Sequence, residues 1–279
     1  MSFPRRTRKL QPDPTSRSIG SPEEVELAAL RQRVETFVAS RNRGDAITGR
    51  VLEAGISVPS ISGVAEALAV QADATLASIT EKYRPALDCK DGCAYCCRKP
   101  GVLISLPELF RILRHVKSTF QDRELSELAS RARAYVEHLG GRSFNDPVNE
   151  SFPCPLLVDE RCSVYDIRPL VCRGYNSTSV DACREAHANS ESLVPMFALL
   201  KDSTDGATVG ASQRLETAGQ NGSMLDLGTS LDIALQAGDG FEEAVLSGGP
   251  GLSPAENRWW TGRLWDRVTE TARQLKDQW

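Results

Sequence analysis

The chain has 279 residues, of which 41% are hydrophobic and 25% are charged, and its formal net charge is −4. This composition is that of an ordinary globular protein, and the length allows a hydrophobic core that needs no disulfide support. The acidic balance argues against general binding to nucleic acid or anionic membranes, and no apolar run is long enough to predict a membrane span.

The first twenty residues are predicted to be a disordered basic arm. They carry five Lys or Arg residues against one Asp, and they contain almost nothing that a core could bury. No apolar segment of the kind found in secretory signal peptides follows the basic residues, although an Arg-rich transit segment stays open. We therefore expect a cytoplasmic protein.

Residues 21–83 are predicted to form the N-terminal helices. Ser21, Pro22 and Glu24 make a capping pattern that is typical of a helix start. The apolar spacing extends this helix to about residue 40, where the polar stretch 41–49 breaks the pattern. A second helix is expected over 62–83.

Residues 84–200 are predicted to form a cysteine-rich domain with an irregular centre. Two helices are expected in it, one beginning near residue 106 and one spanning 123–139. Residues 155–165 indicate a small β-hairpin, and 181–190 a further short helix.

Residues 201–279 are predicted to be an acidic helical region, with weak helices near 208–218 and 223–236. Its last helix, over 254–278, carries three tryptophans, Trp259, Trp260 and Trp265. These either pack onto the core or dock a protein partner. The whole pattern predicts a mostly α protein: helices around an irregular cysteine-rich metal-binding centre, with a small β-hairpin.

All eight cysteines of the chain lie in one part of the sequence and are the candidate metal ligands. They are Cys89, Cys93, Cys96, Cys97, Cys154, Cys162, Cys172 and Cys183. Thiols gathered in a chain without an export signal are typical of metal ligands. Soft sulfur favours zinc or iron over calcium and magnesium, and copper(I) stays chemically open. The two adjacent thiols can reach two metals or bridge one cluster.

Three other interpretations compete with metal ligation. The cysteines could form disulfides, which requires an oxidising compartment. They could be buried thiols that act as small apolar groups, although many of their neighbours are charged. Cys93 and Cys96 could form a thioredoxin-like redox pair, although no strand–helix–strand context surrounds them.

Several charged residues and one histidine lie close to the cysteines in the sequence. Arg168 and Arg173 are expected to support the cofactor beside its ligands, as donors to thiolates. His187 follows Cys183 by one helical turn and is a reserve ligand. No catalytic residue is assigned: Glu108 fits a helix start better than acid/base chemistry.

These residues resemble the YkgJ-type cysteine-cluster family over about residues 83–185. The resemblance rests on Cys-x3-Cys-x2-Cys-Cys at 89–97 and on Tyr-x-x-Arg-Pro-x-x-Cys-Arg at 165–173. It implies a metal-binding protein that chelates zinc or iron, and the iron could be part of an iron–sulfur cluster. It implies no particular reaction. The related motif of flagellin lysine N-methylases implies the alternative, an iron–sulfur-dependent redox enzyme or methyltransferase.

Overall fold

The computed structural model describes residues 21–99, 101–140, 152–189, 192–249 and 251–256. The predicted basic arm lies outside these residues, and so does most of the predicted helix with the three tryptophans. Only the first residues of that helix are described, and they lie in or beside a 3-10 turn at Ser253–Ala255. The mostly α fold is confirmed. The helices are α1 (Pro22–Leu52), α2 (Val58–Tyr83), α3 (Leu106–Thr119), α4 (Asp122–Leu139), α5 (Leu170–Gly174), α6 (Val180–Ala188), α7 (Ala198–Thr217), α8 (Leu227–Ala237) and α9 (Phe241–Leu246).

The first helix is longer than the sequence predicted. It begins with the expected capping box but continues through the polar stretch 41–49, where a break was expected. The polar side chains there face a partner helix: Arg41 Nε donates to Gln213 Oε1 at 2.8 Å, and Arg214 holds the Asp45 carboxylate at 2.6 and 2.9 Å. These polar contacts with α7 hold the second half of α1 in place. This half of the helix therefore lacks the apolar stripe by which an amphipathic helix is predicted from sequence.

Helix α7 packs along α1 at very short range and in the same direction. A Cβ on Gly206 would lie 2.3 Å from the Phe37 carbonyl oxygen, and one on Gly210 would lie 1.9 Å from that of Arg41. Small residues let the two backbones approach this closely. They also carry little hydrophobic signal, so the sequence predicted only the part of α7 at 208–218.

The other predicted helices agree with the structure to within a few residues. The stretches predicted at 62–83, 123–139 and 181–190 correspond to α2, α4 and α6, and the helix predicted from residue 106 is α3. Before Cys172 the chain forms a 3-10 turn at Tyr165–Ile167, which is followed by the short α5. Among the described residues, no helix combines the length and the apolar character that crossing a bilayer demands.

Two short antiparallel strand pairs complete the fold. Strands β2 (Leu157–Val158) and β3 (Arg161–Cys162) form the hairpin that the sequence predicted. Strand β1 (Leu103–Ile104) pairs with β4 (Leu225–Asp226), in a segment where a helix was expected. That helix begins four residues later than predicted, because Asp226 caps α8 by accepting from the Thr229 N–H at 2.8 Å.

The main hydrophobic core draws on three of the four predicted segments, 21–83, 84–200 and 201–279. Its fully buried members include Ile61 of α2, Phe110 of α3, Leu231 of α8, and Leu156, which directly precedes β2. The side chains of two cysteines pack against this core, Cys154 and Cys162. The cysteine-rich region is therefore attached directly to the helical body; the division into domains at 84–200 and 201–279 stays a prediction.

Candidate metal centre

The loop that carries the first four cysteines is held at its start by the segment before α6. The N–H of Asp88 donates to the Ser177 carbonyl oxygen at 2.9 Å, and the N–H of Ser177 donates to Cys89 Sγ at 3.1 Å. The N–H of Val180, the first residue of α6, donates to the Asp88 carboxylate at 3.0 Å. Because α6 carries Cys183, these bonds bring it to the side of the loop where Cys89 lies.

The same loop is held at its end by the segment that leads into the hairpin. The N–H of Cys154 donates to the Cys97 carbonyl oxygen, and the N–H of Phe152 donates to that of Arg98, both at 2.7 Å. Strand β3 then brings Cys162 back beside β2. The first four cysteines (the first group) and the last four (the second group) are far apart in the sequence, but segments that carry them are thus adjacent in the fold.

The adjacent thiols lie between these two anchor points. Cys96 and Cys97 begin a 3-10 turn, and their Sγ atoms are 4.0 Å apart. Gly92 has a φ of +80°, which other residues rarely adopt, and so permits the turn that precedes Cys93. All eight cysteines are free thiols, so the disulfide interpretation finds no bridge in this structure.

Cys172 lies on the short α5, whose start is fixed by the buried carboxylate of Glu108. One oxygen of this carboxylate accepts from the N–H and the hydroxyl of Ser105 at 2.7 and 2.8 Å. The other accepts from the N–H of Leu170 at 2.7 Å. Burial raises the pKa of Glu108, and these three bonds oppose that rise. The predicted role of Glu108 at a helix start is confirmed, and the carboxylate also caps a second helix.

Burial raises the pKa of several thiols of the cluster. Burial raises the pKa of Cys154 to about 12, and burial together with the charges of neighbouring thiols raises that of Cys172 well above its ordinary value. Burial also raises the pKa of Cys89. Without a nearby cation these thiols stay protonated at neutral pH; a metal that binds them must displace protons.

A redox pair of Cys93 and Cys96 is not favoured by this environment. The contact with Cys97, and then burial, raise the pKa of Cys96. Cysteines that attack disulfides have a lowered pKa, because the thiolate is the reactive form. The surroundings of Cys96 have the opposite effect.

The donor set can be compared with what zinc or iron requires. Among the described residues, no three His, Cys, Asp or Glu side chains are already close enough together to hold an ion. The chemistry of the donors fits, because one loop, one hairpin and two helices carry free thiols, and soft sulfur suits both metals. A bound cation would supply the positive charge that buried thiolates need.

The two arginines that were predicted to support the ligands lie in different surroundings. The Arg168 guanidinium stacks 4.0 Å from the Tyr165 ring centre, and its charge partly offsets the rise that burial causes in the pKa of Cys162. Arg173 is almost fully buried; it donates to the Asp73 carboxylate at 2.7 and 2.8 Å and to the carbonyl oxygen of Arg168 at 3.0 Å. Arg168 thus stands beside a predicted ligand, and Arg173 ties this segment to α2.

The reserve ligand His187 is close to the loop. Its ring centre lies 6.0 Å from that of Tyr95, and its Nδ1 atom is buried without a hydrogen-bond partner among the described residues. It is on α6, one turn beyond Cys183. The ring therefore stays a candidate donor on this side of the centre.

Two residues near the thiols were missed by sequence reasoning. Ser177 binds Cys89 through its main chain, which no side-chain pattern can signal. Tyr175 has a raised pKa because of burial and then the charges of the thiols of Cys96, Cys183 and Cys89, so its phenol lies near both groups. The only available signal was its position three residues after Cys172.

Residues 88–192 match the family model CxxCxxCC, described as "Putative zinc- or iron-chelating domain". Neither the curated proteins nor the solved structures gave a match. The matched residues include all eight cysteines, the hairpin, α5 and α6. The match covers a little over a third of the chain and agrees with the cysteine-cluster family that the spacing of its thiols resembles.

Proposed function

We propose that this chain is a metal-binding protein that chelates zinc or iron through the thiolates of its cysteine cluster. The observation that carries the proposal is the direct main-chain pairing of the two cysteine-bearing segments, from Cys154 to Cys97 at one end and from Asp88 to Ser177 at the other. Segments that pair in this way place their thiols on neighbouring parts of the fold, from which a binding cation can gather them. The family match supports the same chemistry.

The ligands in this proposal are the eight cysteines, with Arg168 supplying positive charge beside Cys162. A bound metal would neutralise the thiolates and cross-link loop, hairpin, α5 and α6. An iron–sulfur cluster uses the same four-thiolate ligation; the iron–sulfur enzyme is the alternative function. A cytoplasmic location and a protein partner for the C-terminal region stay predictions of the sequence.

The test is anaerobic purification of the full chain, followed by elemental analysis and a visible spectrum. Zinc chelation gives a colourless protein with stoichiometric zinc. An iron–sulfur cluster gives a brown protein with iron and inorganic sulfide, whose absorption bleaches on reduction. A folded, reduced protein with neither metal, which also fails to take up Zn²⁺ or Fe²⁺ in reconstitution, contradicts the proposal.

Two variants test the ligands, one in each cysteine group. Cys93→Ser and Cys172→Ser should each reduce the bound metal per chain and lower the melting temperature, because a hydroxyl is a poor ligand for a soft site. Val171→Ser, which adds a hydroxyl beside Cys172, is the matched control and should keep its metal. Unchanged metal content and melting in both cysteine variants would show that these thiols are not ligands.

A further inference from the structure

The cysteine-bearing loop is held by two different parts of the fold, and each part carries its own cysteines. The start of the loop is bonded to Ser177 and to the first turn of α6, which carries Cys183. The end of the loop is bonded to the segment that begins with Phe152 and Cys154, which leads into the hairpin. Because the two anchors lie at opposite ends of the loop, its first and last thiols have different neighbours.

The other two thiols divide along the same line. Cys93 lies in the first part of the loop, where its N–H donates to the Lys90 carbonyl oxygen at 3.1 Å. Cys172 is on α5, which is bonded back to the turn after the hairpin, because Arg173 Nε donates to the Arg168 carbonyl oxygen at 3.0 Å. Cys93 is therefore on the α6 side of the loop and Cys172 on the hairpin side.

The number of donors then fits two centres. One group of three consists of Cys89, Cys93 and Cys183, and the other of Cys154, Cys162 and Cys172. Between them lies the adjacent pair, whose Sγ atoms are 4.0 Å apart. The pair is in a 3-10 turn, where successive side chains point about 120° apart, so that it can serve both sides. A structural zinc ion takes four ligands in nearly all cases, which is one more than each group offers alone.

We propose that the thiols form two metal centres: one on the α6 side from Cys89, Cys93 and Cys183, and one on the hairpin side from Cys154, Cys162 and Cys172. The pair Cys96–Cys97 lies between the two centres and completes both. This inference rests on metal chelation by the cluster, the function proposed above. It adds the number of centres and the allocation of the ligands.

The experiment is zinc reconstitution of the full chain under anaerobic, reducing conditions, with Zn²⁺ as the probe. After removal of excess metal, the wild-type chain should hold two zinc ions. Cys183→Ser and Cys172→Ser should each hold one, and the double variant should hold none. Ala182→Ser and Val171→Ser are the matched controls, since each places the same hydroxyl one residue away, and both should hold two.

Alkylation of free thiols, read by peptide mass spectrometry, identifies which centre has been lost. Zinc-loaded Cys183→Ser should leave Cys89 and Cys93 open to alkylation, with the hairpin-side thiols still protected. Cys172→Ser should show the reverse, with Cys154 and Cys162 modified. Circular dichroism confirms that each variant is folded before its metal content is compared.

The outcomes separate this inference from the function on which it rests. A wild-type chain that binds one zinc, or single variants that each lose all their zinc and open all thiols together, would overturn the two centres and leave chelation intact. A wild-type chain that binds no metal would overturn the proposed function itself. If a variant fails to fold, the wild-type stoichiometry of two against one still decides the question.

Discussion

Glu108 joins two helix starts through one buried carboxylate, and one of these helices carries a predicted ligand. The bonds to Ser105 within the same turn follow from the sequence pattern, which is that of a capping box. The bond to Leu170 links residues far apart in the chain, so no local pattern predicts it. Its consequence is that Glu108 positions α5, and with it Cys172.

Replacing this carboxylate with an amide tests the positioning role. In Glu108→Gln, only one of the two accepting atoms remains an acceptor, and the amide nitrogen faces a donor that has lost its partner. An unsatisfied buried donor costs about 1–3 kcal/mol, so we expect the free energy of unfolding of the metal-free chain to fall by that amount in urea titrations. Zinc retention should fall as well, because α5 is no longer held.

The control for this substitution is Glu124→Gln in α4. Glu124 makes the same type of bond, from the N–H of Gln121 at 2.7 Å, but it is exposed and caps one helix only. Its loss should stay within about 0.5 kcal/mol, with zinc content unchanged. Equal losses in the two variants would show that Glu108 is an ordinary cap.

At the scale of elements, the helix pair α1 and α7 shows where sequence reasoning reached its limit. The capping box of α1 and the start of α3 are local signals, and both were predicted. The second half of α1 is polar because it pairs with α7 through Arg41 and Asp45, and α7 is rich in small residues because the backbones nearly touch. Neither feature produces hydrophobic periodicity, so only the folded partner explains them.

A methyl group at this contact should have the opposite effect from that expected for an open helix. Alanine normally stabilises a helix interior over glycine by about 1 kcal/mol. In Gly210→Ala, however, the new Cβ would lie 1.9 Å from the Arg41 carbonyl oxygen, and the helices must separate. We expect the free energy of unfolding to fall by about 1–3 kcal/mol, as for other overpacked sites.

The matched substitution is Gly63→Ala in α2. There the nearest atom to the new Cβ is Val51 Cγ1 at 3.8 Å, which is an ordinary contact. Denaturant unfolding should find this variant unchanged or stabilised by up to about 1 kcal/mol. If both variants shift stability in the same direction, the close approach of α1 and α7 does not limit packing.

At the scale of the whole molecule, the cysteine centre is part of the main core. Cys154 and Cys162 pack against it, and α5 contacts α7 where Gly174 meets Thr204. The type of site was predictable, because the cysteine spacing is local in the sequence. The adjacency of the cysteine-bearing segments was not, since it depends on main-chain bonds that join Asp88 and Cys97 to distant segments.

Metal loading should therefore stabilise the entire chain, and this gain should depend on pH. At free zinc about 1,000 times the Kd, binding contributes about 4 kcal/mol, which corresponds to a rise of about 8–16 °C in melting temperature. The thiols must lose protons to bind, and burial raises the pKa of Cys154 to about 12. Protons compete more strongly as pH falls, so the gain should shrink from about pH 8 to about pH 5.

The metal-free chain is the control for this titration, and the sign of its own thiol contribution can be worked out. A thiol whose pKa is raised in the folded state makes its full contribution to the free energy of unfolding at pH values below its unfolded-state pKa of 9.0. That contribution is lost only as the pH rises toward the folded-state pKa of about 12. Between about pH 5 and about pH 8 the thiols therefore add no slope to the metal-free curve. Calorimetry of the zinc-loaded and metal-free forms over this pH range measures the difference between their melting temperatures. A difference that is absent, or one that does not shrink with falling pH, would mean that zinc is not held by deprotonated thiols tied to the core.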